Sequence, residues 1–276
     1  MIQKMLRRAS VALAATGLFL TLGTAHAGGG DLLVAPTRIV LDGPRGAEIV
    51  LNNIGEETAT YRISLEIKRM TPEGALEEID PNSVNDAERQ TLAMLLYSPR
   101  RVTLPPNQPQ TIRLSVRPPA GLPDGEYRAH MLFRAVPESR SISAPATPTS
   151  GVSIALTPIY GVSIPIIVRQ GRLEATAAIA NARLEAPGTE RLLRFDLSKQ
   201  GNRSVYGEVI VTRPGVAEPL VAARGVAIYP EINQRVVTLP LSQEQYDALH
   251  GPVTIRFVED REVGNATLAE MSTVLR

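Results

Sequence analysis

Hydrophobic and polar side chains alternate with a period of two residues along much of the chain. The alternating runs are Thr58 to Met70, Thr111 to Arg117, Glu126 to Val136, Leu193 to Ser198 and Val253 to Phe257. In the first of them the apolar side chains are Tyr61, Ile63, Leu65 and Ile67, and the polar ones are Arg62, Ser64, Glu66 and Lys68. This period predicts β-strands with one buried and one solvated face, which is typical of antiparallel sandwiches.

Turn sequences rich in Pro and Gly separate these runs, and helical signals are few. A capping-box pattern at Ser242 predicts one short helix, and Asp86 to Thr91 predicts a second; both are expected to be connectors outside the cores. The 276 residues exceed one typical domain. The sequence therefore predicts an all-β protein of two immunoglobulin-like β-sandwich domains, residues 28–170 and 171–276.

The first 27 residues have the pattern of a secretory signal peptide. Lys4, Arg7 and Arg8 precede an apolar run from about Ala9 to Leu22, and Ala25-His26-Ala27 resembles a cleavage site. A membrane anchor is the alternative, but the run is short for a span and is diluted by Gly and Thr. Residues 1–27 are therefore predicted to be removed on export.

Composition narrows the chemistry that the chain can perform. It has 29 Lys and Arg, 28 Asp and Glu, and no Cys, which argues against a nucleic-acid footprint, a thiol nucleophile and thiolate metal sites. After residue 27 the histidines are His130 and His250, and neither has a Ser or acidic partner in a catalytic pattern. We expect no enzyme, no cofactor, no metal and no small-molecule substrate.

The segment from Glu138 to Val168 departs from the ordinary strand pattern. Residues 138–151 are rich in Ser, Pro, Ala and Thr and predict a loop. A line of alternate apolar residues follows, broken by Pro158: Val152, Ile154, Leu156, Tyr160, Val162, Ile164, Ile166 and Val168. It is far longer than a usual strand of about 5–6 residues. The pattern leaves open whether this is an edge strand packed internally or one presented to another chain by β-augmentation.

Four sequence blocks, taken in order, resemble the periplasmic chaperones of pilus (fimbrial) assembly. They are Ala35-Pro36-Thr37-Arg38-Ile39-Val40, the stretch from Tyr97 to Leu114 with Ser98-Pro99 and Leu104-Pro105-Pro106, Gly125-Glu126-Tyr127-Arg128, and Val152-x-Ile154-x-Leu156. The resemblance implies two immunoglobulin-like domains in an L-shape, a periplasmic location, and a role in fimbrium biogenesis and cell wall organization. Its partners would be pilus subunits and an outer-membrane usher.

The resemblance also implies roles for single residues. Val152, Ile154, Leu156 and Tyr160 would complete the fold of a subunit that lacks a strand, and Arg38 would anchor the subunit's C-terminal carboxylate. Many relatives add a lysine beside that arginine, but residues 159–168 contain none. This departure suggests a divergent branch, such as the archaic or alternate pilus systems.

Alternatives remain at this stage. The chain could be a pilus subunit or adhesin itself, or an exported immunoglobulin-like binding module with another partner. For Arg38 the competing interpretation is a surface or interdomain ion pair. Self-association of the free chain through its open edge is also left open.

Overall fold

The computed structural model describes residues 31–43, 45–137, 159–261 and 263–276. The predicted signal peptide, residues 1–27, lies outside the described residues, and so do Val152, Ile154 and Leu156 of the predicted donor strand. Strands dominate the described chain, and they form two sandwiches.

Within the described residues, the first domain contains nine strands in two facing sheets, a two-stranded hairpin, a 3-10 helix (Pro81–Ser83) and one α-helix. The strands are β1 (Leu32–Ala35), β2 (Ile39–Asp42), β3 (Ala47–Asn53), β4 (Ala59–Glu66), β5 (Lys68–Met70), β6 (Leu76–Glu78), β7 (Leu95–Ser98), β8 (Arg101–Leu104), β9 (Pro109–Val116), β10 (Gly125–Val136) and β11 (Gly161–Gln170); the helix is α1 (Asp86–Met94). One sheet has the order β1-β3-β9-β7 and the facing sheet β2-β11-β10-β4-β8, while β5 and β6 form a hairpin.

The second sandwich contains seven strands and a short helix. They are β12 (Ala175–Glu185), β13 (Leu192–Gly201), β14 (Val205–Thr212), β15 (Val221–Ile228), β16 (Gln234–Pro240), α2 (Gln243–Ala248), β17 (Gly251–Glu259) and β18 (Thr267–Leu275). The sheets have the orders β12-β13-β16 and β15-β14-β17-β18.

Each sandwich has its own apolar core, built from the alternation seen in the sequence. Phe133 and Ile112 are fully buried in the first core, and Phe195 and Phe257 are fully buried in the second. Each such side chain contributes about 1.5–3 kcal/mol to folding. The predicted all-β fold with two sandwiches is confirmed.

Both predicted helices are present, and α1 contributes a residue to the first core. Ser242 caps α2 in a complete capping box. In α1, Thr91 and Met94 are buried, and Met94 joins the first core. The prediction that α1 stays outside the core was wrong, because its last turn packs under the sheets. Within the described residues, neither helix has the length and apolar character needed to span a membrane.

A small apolar cluster joins the two sandwiches. It consists of Met70 and Ile167 from the first and Ala227 and Tyr229 from the second. Residues 164–168 of β11 are apolar on both faces of the strand, and Ile167, on the outer face, is fully buried in this separate cluster. The second sandwich covers the outer face of the strand, which explains why β11 is apolar on both sides.

A tight turn links β11 to β12 next to this cluster. Gly171 adopts φ +68°, and a Cβ there would lie 1.7 Å from Asp124 Oδ1. The Arg172 N–H donates to Asp124 Oδ2 at 3.0 Å. Glycine is required at this turn because any side chain would collide with the carboxylate that holds it.

His130 lies on the outer face of β10 and is nevertheless 2% exposed. Arg128 Nη1 lies 3.2 Å from its Nε2, and since arginine can only donate, Nε2 is the acceptor and Nδ1 carries the proton. Burial, with the nearby charges of Arg128 and Lys68, lowers the pKa of His130 from 6.5 to about 3. The folded protein therefore holds a neutral imidazole.

This histidine should make stability depend on pH. Between pH 6.5 and 3 the unfolded chain binds a proton that the folded chain excludes, so the free energy of unfolding falls as pH falls. The free energy of unfolding is measured with urea at pH 7 and at pH 5. The decrease between the two pH values should be about 2 kcal/mol smaller for His130→Gln than for wild type. The exposed His250→Gln is the matched control and should follow wild type. An unchanged pH profile in His130→Gln would contradict a neutral buried imidazole.

Candidate functional site

Arg38 occupies the short connection through which the chain passes from one sheet to the other. Residues 36–38 link β1, in the first sheet, to β2, in the second. Ile39 and Leu41 are buried in the core. Strand alternation therefore places Arg38 and Val40 on the opposite face of β2, which faces the second sandwich.

A pocket of about 180 Å³ lies between the two sandwiches at this point. The first sandwich lines it with Arg38, Val40 and Arg169, and the second lines it with Tyr206, Asp260 and Val263. Small-molecule sites usually measure about 300–1,000 Å³. The pocket is therefore suited to a group such as a carboxylate rather than to a larger ligand.

The guanidinium of Arg38 is stacked but not hydrogen-bonded at its ends. Its Cζ lies 4.1 Å from the ring centroid of Tyr206. Its Nη1 and Nη2 are buried and have no hydrogen-bond partner within the described part of the chain. Buried charged donors without acceptors cost free energy. An acceptor that reached these nitrogens would relieve that cost.

Two carboxyl groups, those of Glu126 and Asp260, lie close to the positive charges of the pocket. Arg169 Nε lies 3.4 Å from Oε2 of Glu126, whose side chain is fully buried. Asp260 contributes a carboxyl group to the wall, and its N–H donates to the carbonyl of Tyr206 at 3.0 Å. The charge of Arg169 is therefore largely compensated by Glu126, whereas the terminal nitrogens of Arg38 make no hydrogen bond within the described part of the chain.

A second arginine–tyrosine stack lies in the same interface, and in this one the terminal nitrogens of the arginine do make hydrogen bonds. Arg128 Cζ lies 3.9 Å from the ring centroid of Tyr229. Its Nη2 donates to the carboxylate of Glu231 and, at 2.8 Å, to the carbonyl of Lys68. Glu231 also accepts the N–H of Met70 at 2.7 Å. Arg128 is thus a structural arginine that joins the sandwiches, and Arg38 is distinguished from it by its unengaged ends.

One edge of β11 is open over its first half. The whole strand pairs with β10, but β2 pairs only with Ile166–Arg169. Over residues 161–165 no second neighbouring strand exists within the residues that the structure describes. Tyr160 O accepts the Ala135 N–H at 2.9 Å, so alternate residues from Gly161 onward direct their main-chain groups toward the open edge.

Tyr160 and Ile159 precede this open edge and are large, exposed side chains, 45% and 49% accessible. Tyr160 lies about 20 Å along the strand from the point where β2 joins it. Arg38 lies at that junction, since Ile39 pairs with Ile166. Arg38 and Tyr160 thus mark the two ends of one open edge rather than two walls of one pocket.

The sequence analysis did not predict the polar and aromatic residues that line the pocket beside Arg38, which are Arg169, Tyr206 and Asp260. Each belongs to a strand or strand end whose local pattern is ordinary, and their proximity arises only when the two sandwiches dock. Within the described residues no group of three or more His, Asp or Glu side chains could hold a metal ion.

No family model and no curated protein matches the chain. Three of the similar solved structures are the YadV chaperone (14% identity, TM-score 0.49, covering 89% of this chain and 100% of that one), a Salmonella enterica complex of the SafA pilin with the SafB chaperone (16%, 0.45, 89% and 97%), and the CsuC–CsuE chaperone–tip subunit complex from archaic chaperone–usher pili of Acinetobacter baumannii (10%, 0.45, 88% and 97%). The fold described above rests on the strand pairing of this chain itself.

Proposed function

We propose that the protein is a periplasmic chaperone of pilus assembly, which binds pilus subunits by donating a β-strand and delivers them to an outer-membrane usher. In this proposal residues 1–27 are removed, and residues 28–170 and 171–276 form the two domains. The observation that supports the proposal is Arg38, whose terminal nitrogens are buried and have no hydrogen-bond partner among the described residues, at the end of the open edge of β11.

The open edge provides main-chain hydrogen bonds for an incoming strand. Unpaired edges invite pairing with another chain, and proteins normally cover or charge them. A strand added along residues 161–165 would lie where β2 would continue, and its end would reach Arg38. For that end to be the C-terminus, the added strand must run parallel to β11, as β2 does.

Arg38 would then bind the terminal carboxylate of the added strand. A guanidinium presents paired N–H groups that match the two oxygens of a carboxylate, which a lysine cannot do. The pocket volume of about 180 Å³ leaves room for the carboxylate and little more. Arginine alone can therefore serve as the charged anchor in a chain that lacks the neighbouring lysine.

The apolar line continues on the N-terminal side of the open edge, according to the sequence. We propose that Val152, Ile154, Leu156 and Tyr160 enter a groove of the subunit. Each fully buried aliphatic side chain would contribute about 1.5–3 kcal/mol. Affinity would thus come from apolar burial and main-chain pairing, and register from the carboxylate at Arg38.

Co-expression tests the proposal. The tagged protein is produced in a bacterial periplasm together with a candidate pilus subunit. We expect a one-to-one complex on size-exclusion chromatography with mass determination, and an aggregated or degraded subunit when the protein is absent. A subunit that is equally soluble without the protein, and that does not copurify with it, would contradict the chaperone function.

Alternate positions of the donor segment should differ in their effect on the complex. Leu156→Ala is expected to lower subunit affinity about 30-fold, because it removes roughly 2 kcal/mol of apolar burial. Thr157→Ala is the matched control, because the sequence alternation assigns Thr157 to the opposite face from Leu156, and it should change affinity less than threefold. Competition binding with labelled subunit measures both, and equal effects at the two positions would contradict insertion of alternate side chains.

A further inference from the structure

The ring of Tyr206 reaches Arg38 from the second sandwich. Tyr206 belongs to β14 and pairs with Ala227 of β15. The N–H of Asp260 donates to its carbonyl at 3.0 Å. Strand pairing on one side and this hydrogen bond on the other therefore hold the main chain that carries the ring, and the ring lies 4.1 Å from the Arg38 Cζ.

A guanidinium uses its flat face for stacking and its edge for hydrogen bonds. When the face lies on an aromatic ring, all N–H groups remain available in the plane. We propose that Tyr206 is a positioning residue for the carboxylate anchor, and that it holds the guanidinium of Arg38 with its unpartnered edge ready for a carboxylate. The inference rests on the proposed function of Arg38.

The same interface already contains a completed example of this arrangement. Arg128 stacks on Tyr229 at 3.9 Å, and its edge is bound by the carboxylate of Glu231. Arg38 on Tyr206 repeats the stack at a similar distance, without an acceptor at its edge among the described residues. The pair formed by Arg128 and Glu231 therefore shows how this protein binds a carboxylate to an arginine that rests on tyrosine.

This role also accounts for the lack of a lysine in residues 159–168. A free arginine side chain loses considerable rotamer freedom when it is fixed by a ligand, and prior ordering removes that cost from binding. Tyr206 supplies order and a cation–π attraction where a lysine would supply charge. The phenol is not required for this, since the ring face makes the contact.

The test uses the purified full-length protein and two small probes, propionate and its uncharged analogue propionamide. Binding is followed by NMR of the arginine Nε–Hε signals, with the Arg38 signal assigned from its loss in Arg38→Ala. We expect wild type and Tyr206→Phe to bind propionate with the same affinity within twofold, and Tyr206→Leu to bind about tenfold more weakly. Propionamide should not shift the signal.

Two results would overturn the inference: wild-type affinity in Tyr206→Leu, or a Tyr206→Phe as weak as Tyr206→Leu, which would assign the effect to the hydroxyl. A purely structural role is separated by the main-chain amide NMR spectrum of Tyr206→Leu, which should remain that of the folded wild-type protein while propionate affinity falls. Failure of the proposed function has a different signature, namely a subunit that Arg38→Ala captures as well as wild type does.

Discussion

Replacing Arg38 with alanine is expected to weaken subunit binding about 100-fold. Hydrogen bonds to charged groups contribute about 1.5–3 kcal/mol, and each 1.4 kcal/mol is a tenfold change in affinity. The same change should alter the free energy of unfolding by less than about 1 kcal/mol, because the terminal nitrogens of Arg38 have no partner to lose among the described residues. Competition binding and urea unfolding measure the two quantities on the same preparations.

Two variants serve as controls for this experiment. Arg38→Lys keeps the charge but not the paired N–H groups, and is expected to recover only part of the affinity. Arg100 is an exposed arginine stacked on Tyr97 at 4.9 Å that does not line the pocket, so Arg100→Ala should bind the subunit like wild type. Wild-type affinity in Arg38→Ala would remove the anchor from the mechanism, whatever the outcome for stability.

Replacing Arg128 with methionine is expected to lower the free energy of unfolding by about 3 kcal/mol. The Arg128 side chain is 4% exposed and is paired with Glu231, which is 22% exposed. Removing one partner of a buried pair leaves the other charge unpaired, which typically costs about 3–5 kcal/mol. Methionine retains most of the apolar stem, so the loss reports mainly on the ion pair and the stack on Tyr229.

A double-mutant cycle with Glu231→Gln isolates the contribution of this pair. Once the carboxylate is absent, Arg128→Met should cost clearly less than it does in wild type, with a coupling of at least about 1 kcal/mol. Additive losses in urea unfolding would show that the two residues stabilise the interface independently. The two stacked arginines of this interface are thus expected to differ. Replacing Arg128 should lower the free energy of unfolding, whereas replacing Arg38 should lower the affinity for the subunit.

The alternation of side chains was sufficient to predict the strands and the cores. Phe133, Phe195 and Phe257 lie on the predicted faces and are fully buried. Ile167 is buried although it lies on an outer face, because the second sandwich covers this part of the sheet. His130 is likewise buried on the outer face of β10, beside Arg128. Alternation within a strand reports which face packs in its own sandwich, and carries no information on which outer face a second domain will cover.

The candidate site likewise contains one residue that the sequence predicted and one that it did not. Arg38 was predicted from its sequence block, and the structure places it at the junction of β2 and β11. Tyr206 lies 168 positions further along the chain (206 − 38), and its strand shows no unusual pattern. Its contact with Arg38 depends on the docking of two separately packed cores, which local sequence patterns do not encode.

Because Arg38 comes from one sandwich and the ring beneath it from the other, the anchor is assembled only in the finished molecule. A copy whose second sandwich has not yet folded has the arginine, but without the ring that orders it. Such a copy would hold a subunit's terminus poorly even if its open edge were already formed. Under the proposed function, binding of a subunit's terminus would then require that both sandwiches of this protein have already folded.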